Sequence, residues 1–183
     1  MDELIDIVDN NGKPIGQTAL KSIIHTKGYL HNTAHIWLYT TNGQILLAQR
    51  AASKIIYPLL WDVSVAGHID AGETVINGAI REIKEEIGLQ IETSKLEKIG
   101  VFECFQSYPN GINDNEFHNT FITPLEVDIT NLKAQPEEVE ALKLVTISEF
   151  KSLLKNSKNN GHFVATNTEY YLKVIQAISN KLP

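Results

Sequence analysis

What this chain lacks narrows its class first. It has a single cysteine, Cys104, so an internal disulfide is excluded and a reducing compartment fits. No apolar run approaches the length that crosses a bilayer, and the opening Met1-Asp-Glu-Leu-Ile-Asp6 is acidic where a secretion signal would be basic. These absences predict a soluble cytoplasmic protein with no membrane partner. Basic residues are scarce: 16 Lys and Arg stand against 22 Asp and Glu, for a net charge of −6, and no dense basic run appears. That balance argues against nucleic acid as the main partner. It also means that a phosphate-handling chain of this composition must gather its few cations locally. Repeats and long linkers are absent too, and 183 residues at 43% hydrophobic content suit one core, so a single domain over residues 1–183 is expected.

Periodicity then supplies the elements. Leu4 to Val8 alternates with acids and reads as a strand ending at Asn10-Asn11-Gly12, and Thr18 to Thr26 reads as a short helix stopping near Gly28. His35 to Thr40 and Gln44 to Arg50 flank Asn42-Gly43 and predict a β-hairpin. Trp61 to Ala66 reads as one further strand. Leu96 to Phe105 and Phe117 to Leu125 follow as strands around the turn-rich Pro109 to Asn115, and Leu142 to Ile147 is the last. Ser148 to Leu154 reads as a short helix with a capping pair at Thr146 and Glu149. A final helix over 166–182 has a second pair, Thr166 and Glu169, and a stripe of Tyr171, Ile175, Ile178 and Leu182. The expected class is α+β, a mixed sheet with helices on its faces.

The chain is organised around Gly67 to Leu89, which reads loop, helix, loop. Ile76, Ile80, Ile83 and Ile87 fall in a stripe about 60° wide that predicts a buried face. Glu82, Glu85 and Glu86 share an arc of about 100° on another side. Like charges so placed, near the negative end of a helix, are unfavourable alone and favourable around a cation. Oxygen ligands without a cysteine cluster favour a hard ion, Mg²⁺ or Mn²⁺, which accepts phosphate oxygens as further ligands. The competing reading is a solvated acidic helix face.

Gly67, Glu73, Arg81-Glu82-Ile83, Glu85-Glu86 and Gly88-Leu89 occupy every constrained position of the Nudix box, so the chain resembles the Nudix hydrolases. The resemblance implies the Nudix fold and Mg²⁺-dependent hydrolysis of a phosphoanhydride in a small-molecule diphosphate, nucleoside-linked or otherwise organic. It implies metal ligation by Glu82 and Glu86, aided by a backbone carbonyl near Ala66 or Gly67. Arg81 and Glu73 would pair to hold the loop to the helix, and Glu85 would bind the metal's water or act as general base. Glu138 is an alternative base, against a solvated loop glutamate. Arg50 and Lys54 would reach the diphosphate, against two surface cations. Related proteins are frequently dimers, which leaves a homodimer open.

A second resemblance covers most of residues 4 to 150. Asp6 to Gly16, Arg50-x3-Lys54-x2-Tyr57-Pro58-x2-Trp61 and Ala66-Gly67-His68 look like the Nudix branch that includes isopentenyl-diphosphate isomerase. It implies a second metal site at His25, His31, His68, Asp114 and Glu116, although the His25 to His31 spacing is one residue short; singly, each histidine also reads as structural. The isomerase places its catalytic cysteine where Ala66 stands, Cys104 is far away in sequence, and the hydrolase-type glutamates are all present, so hydrolysis is the expected chemistry. An isomerase-like enzyme and a non-catalytic phospho-ligand-binding module are the alternatives. Trp37, Tyr57, Trp61, Phe105, Tyr108 and Phe163 are candidate pocket walls or core, and 109–119 is a candidate substrate loop or a plain hairpin end.

Overall fold

The computed structural model describes residues 2–160, 164 and 167–182. Its centre is β3 (His31–Tyr39), a strand apolar on both faces and hence buried on both. Trp37 and Tyr39 point to one side and Ile36 and Leu38 to the other. β1 (Leu4–Val8) and β2 (Pro14–Leu20) form an antiparallel ribbon, followed by α1 (Lys21–Lys27). β4 (Gln44–Arg50), β5 (Trp61–Asp62) and β6 (Val65–His68) lead into α2 (Val75–Ile87). Then come β7 (Glu97–Ser107), β8 (Asn113–Pro124), β9 (Val139–Thr146), α3 (Ile147–Asn160) and α4 (Thr168–Ser179). Seven strands make one mixed sheet in the order β5-β4-β3-β8-β7, with β6 also on β3 and β9 on β4. β3 and β8 run parallel, which places His31 opposite Glu116.

Helices cover both faces, as the α+β expectation requires. Ile83, Ile87 and Ala79 of α2 pack with Ile36, Leu38, Leu46 and Val65. Phe150 of α3 and Tyr170, Tyr171, Val174, Ile175 and Ile178 of α4 pack with Trp37, Ile45 and Leu47 on the other face. Among the described residues no helix is long and apolar enough to cross a membrane.

Several sequence expectations need correction. The segment 14–20 is a strand rather than the start of a helix; its residues are nearly all exposed, and only pairing with β1 makes it extended. The predicted hairpin of β3 and β4 closes through Tyr39 opposite Ile45 alone, because β3 then pairs with β6 and β8 while β4 pairs with β5 and β9. Trp61 to Ala66 is two strands, since Ser64 leaves the ladder to bond Leu46 O and Leu38 N. The turn after β7 is shorter than expected, as β8 already begins at Asn113. α3 continues past Leu154 to Asn160. Of the predicted α2 stripe, Ile83 and Ile87 are buried, but Ile80 is half-buried and Ile76 is 36% exposed; the face against the sheet is centred on Ala79, Ile83 and Glu86. The Thr146 and Glu149 capping pair forms reciprocally, at 2.7 and 3.1 Å. Thr166 lies outside the described residues, and Asn167 caps α4 through its side chain.

α2 stops at Gly88, whose φ of 68° suits a residue without Cβ. Lys133 N and Gln135 N bond the last carbonyls, Ile87 O and Glu86 O, at 2.9 and 2.8 Å. A Cβ on Gly88 would also sit 2.9 Å from Lys133 Cβ. Gly88→Ala is therefore expected to lower stability by about 1–2 kcal/mol, measured by urea denaturation; an unchanged midpoint would refute this account of the helix end.

Candidate active site

β6 delivers Gly67 and His68 to the N-terminal approach of α2, and one guanidinium fastens the two. Arg81 Nη2 donates to Glu73 Oε2 at 3.0 Å and to His68 O at 2.9 Å, while Nη1 donates to Glu82 Oε1 at 2.7 Å and Glu85 Oε2 at 3.2 Å. Loop and helix are thus locked, and the Glu82 carboxylate is aimed. It lies flat against Gly67: a Cβ there would come within 2.0 Å of Glu82 Cδ. Only a bare Cα permits that approach.

Glu82 and Glu86 open into one cavity of about 440 Å³, together with Ala66, Gly67, His68, Arg50, Lys54 and Glu138. Burial raises the Glu82 carboxyl to about 7, with Glu85 and Glu3 adding to it and Arg81 opposing. Glu86, 7% exposed, is pushed well above the carboxylate range by burial, then by Glu82 and Glu138; Lys54 and the Ala66 backbone N–H partly offset this. Two buried, mutually repelling carboxylates in a polar cleft are a donor set lacking its positive charge, and a hard divalent ion fits them. Glu85 does not join them. Its side chain is 53% exposed, is paired with Arg81, and lies outside this cavity on a shallow depression with Asn77, Ile80 and Thr93.

The two cations of the loop after β4 line the cavity rather than the free surface. Arg50 is held by Ile56 O at 3.0 Å and Asp62 Oδ2 at 3.4 Å. Lys54 pairs with Glu138, which brings the 136–139 segment beside Glu86.

At the other end of the same cavity, His25, His31, His68 and Glu116 place one donor atom each within 4.8 Å of one another. His31 is fully buried, and its Nδ1 lies 3.0 Å from Tyr29 O, a group that only accepts. Nδ1 therefore carries a proton, and Nε2 faces inward, 3.5 Å from Glu116 Oε1 and without a hydrogen-bond partner; burial lowers the ring's proton affinity, but Glu116 more than offsets it and holds the metal-free ring above the usual histidine range. An orphaned buried ring nitrogen among two further imidazoles and a carboxylate fits a metal ion. Burial, then Lys21, lowers His68 well below the usual histidine range, so its ring is neutral. Asp114 touches only the rim of this group, with Oδ1 3.3 Å from His25 Nε2.

Sequence reasoning left several cavity residues unassigned. Cys104, set aside as distant in sequence, lines the cavity because β7 pairs with β8 and sets Cys104 opposite Glu116. His35, His118 and Tyr170 line it too. The available signal was the spacing of Glu116 and His118, which puts both side chains on one face of a strand. Of the aromatic candidates, Tyr57 and Tyr108 line the cavity, Trp37 is core, Trp61 and Phe105 lie elsewhere, and Phe163 is outside the described residues. The 109–119 stretch contributes Ile112, Asp114, Glu116 and His118.

Comparison with known proteins agrees with this geometry. The family model described as the NUDIX domain matches residues 29–166. A protein of Arabidopsis thaliana, Nudix hydrolase 3, is 34% identical over 92% of this chain, which spans only 22% of that protein's length. Isopentenyl-diphosphate Delta-isomerase 2 of Photorhabdus laumondii is 32% identical, over 98% of this chain and 94% of its own. A crystal structure of a Deinococcus radiodurans protein superposes with a TM-score of 0.68 at 18% identity, covering 99% of this chain and all of that one.

The raised Glu82 carboxyl sets a pH dependence. The folded metal-free protein holds that proton up to about pH 7, whereas the unfolded chain releases it near the ordinary glutamate value of 4.5. Between those values the folded state binds more protons, so stability falls as pH rises. Relative to Glu82→Gln, the metal-free wild type should lose on the order of 3 kcal/mol between pH 4.5 and 7, read by urea denaturation in chelator. A difference that stays flat or rises would show that Glu82 is not desolvated.

Proposed function

The chain belongs to the Nudix family, and on that premise we propose that it is a hydrolase of pyrophosphate bonds that cleaves the phosphoanhydride of an organic diphosphate, nucleoside-linked or otherwise, with Mg²⁺ or Mn²⁺. One observation carries this reading: Glu82 and Glu86 meet in a single cavity with Arg50 and Lys54. Glu82, Glu86 and the backbone at Ala66 and Gly67 would hold the ion, which when bound draws charge from the phosphoryl group and acidifies water. The chain's own part is electrostatic and positional. Arg81 fixes Glu82 against Gly67 and ties Glu73 to the same spot. Arg50 and Lys54 offer N–H donors to the phosphate oxygens, Arg50 from a fork whose orientation Asp62 and Ile56 O already fix.

For the proton from water, geometry favours Glu138, which faces the cavity beside Lys54, over Glu85, which faces solvent. The histidine cluster supports a second ion in the same cavity, held by His25, His31, His68 and Glu116 with Asp114 at its rim. An isomerase-like reading has less support, because Ala66 carries no transferable proton; Cys104 in the cavity makes it worth a separate readout.

The test is release of phosphate or monophosphate across a panel of nucleoside-linked and simple organic diphosphates, with product identification. Wild type should turn over at least one member only when Mg²⁺ or Mn²⁺ is present. Glu86→Gln should lose more than about 100-fold, beyond the usual cost of disturbing a metal's outer contacts. Gly67→Ala should fold normally but lose at least about 10-fold, because its Cβ displaces Glu82. Isotope uptake from heavy water into an allylic product without phosphate release would instead favour the isomerase. Binding without turnover, unaffected by Glu86→Gln, would favour a non-catalytic module.

A further inference from the structure

Beside the histidine cluster lies a second group of ligand-type residues, His35, Glu116 and His118. It is not a second metal site. The His35 and His118 rings are 3.8 Å apart at 21°, a separation that five-membered rings reach only face to face. Each lone pair lies in its own ring plane, so stacked rings cannot both aim at one ion. The group instead shares Glu116 with the first cluster and divides its oxygens. Oε1 faces His31 Nε2 at 3.5 Å and His68 Nε2 at 3.8 Å, while Oε2 is bonded to His118 Nε2 at 2.7 Å.

We propose that His118 is the positioning residue that turns Glu116 Oε1 toward the histidine cluster, held in place by His35 and Tyr170. The inference rests on the reading of that cluster as a metal site. His118 is 6% exposed, and its position is set from behind by the stacked His35 ring. His35 Nδ1 lies 3.0 Å from Tyr170 Oη, which also accepts from Trp37 Nε1 at 2.8 Å. Trp37 is fully buried, so this anchor does not drift. A line of contacts thus runs from the sheet core and α4, through two imidazoles, to the free oxygen of a metal-facing carboxylate. The arrangement answers a problem of β8. A strand side chain as long as glutamate loses much rotamer freedom on ordering, and one fixed oxygen leaves the other a single direction.

Mn²⁺ titration followed by electron paramagnetic resonance tests this in wild type and four variants at Glu116, His118 and Tyr170. Wild type should bind two classes of ion, and Glu116→Gln should weaken one of them, identifying the histidine site. His118→Phe removes the donor and should weaken the same class about 10–100-fold, leaving the other class unchanged. His118→Gln keeps an N–H donor without the ring's charge and should restore most of the affinity. Tyr170→Phe releases His35 while keeping the packing, and should give a smaller loss in the same class; it decides the matter if His118→Phe does not fold. If His118 acted only by its charge, both of its variants would bind more tightly, and that outcome would overturn the proposal. So would two unchanged classes in His118→Phe alongside a weakened one in Glu116→Gln. A wild type that binds a single ion would overturn the histidine-cluster reading itself, and this inference with it, while leaving the Glu82 and Glu86 assignment standing.

Discussion

The geometry of this cavity depends on one guanidinium. Arg81 joins a loop carboxylate, a strand carbonyl and two helix carboxylates, groups that come from three different local structures. A lysine would present a single point of charge and could not hold them in fixed relative directions, whereas the planar fork can. Because Glu82 is bonded through Oε1, its carboxylate plane is set, and the missing side chain at Gly67 lets that plane lie against the backbone. The strand end and the helix therefore form one rigid unit.

Rigidity is held against an electrostatic cost. Glu82, Glu86 and Glu138 crowd one end of the cavity, with Arg81 on Glu82 and Lys54 on Glu138 as partial compensation, and burial raises the proton affinity of the first two. The opposite end gathers ring nitrogens instead: His31 and His68 each turn Nε2 toward Glu116 Oε1, at 3.5 and 3.8 Å. Carboxylates concentrated at one end and imidazoles at the other prefer different ions, hard at the first and borderline at the second. A diphosphate lying between them would face Arg50 and Lys54 from the side wall. The two ends are joined through the backbone, because Gly67 and His68 are neighbours in β6.

How far the site was legible from residues alone depended on whether its parts share a local segment. The α2 glutamates, Arg81 and Glu73 lie within one loop and helix, where a 3.6-residue repeat converts spacing directly into direction. The face of α2 was misjudged at Ile76 and Ile80 because the isoleucine stripe is rotated from the packed face, which is centred on Ala79, Ile83 and Glu86. The hairpin of β3 and β4 was expected to stay paired because Asn42-Gly43 speaks only for the turn. Beyond it β6 takes the edge of β3 and β5 the edge of β4 that a longer hairpin would share, while β8 and β9 hold the opposite edges.

The sequence by itself determined, from spacing, the helix that groups Glu82 and Glu86, and its resemblance to the Nudix box implied the pairing of Arg81 with Glu73; that Gly67 must approach Glu82 without a side chain came from the structure. The sequence also determined that phosphate-binding cations had to be gathered locally in an acidic chain. Only the tertiary structure decided that Glu85 faces solvent while Glu138 faces the cavity, and that Cys104, His35, His118 and Tyr170 belong to it. The physical reason is the parallel pairing of β3 with β8. It joins segments some eighty residues apart in a register that no local preference specifies, and so sets His31 opposite Glu116.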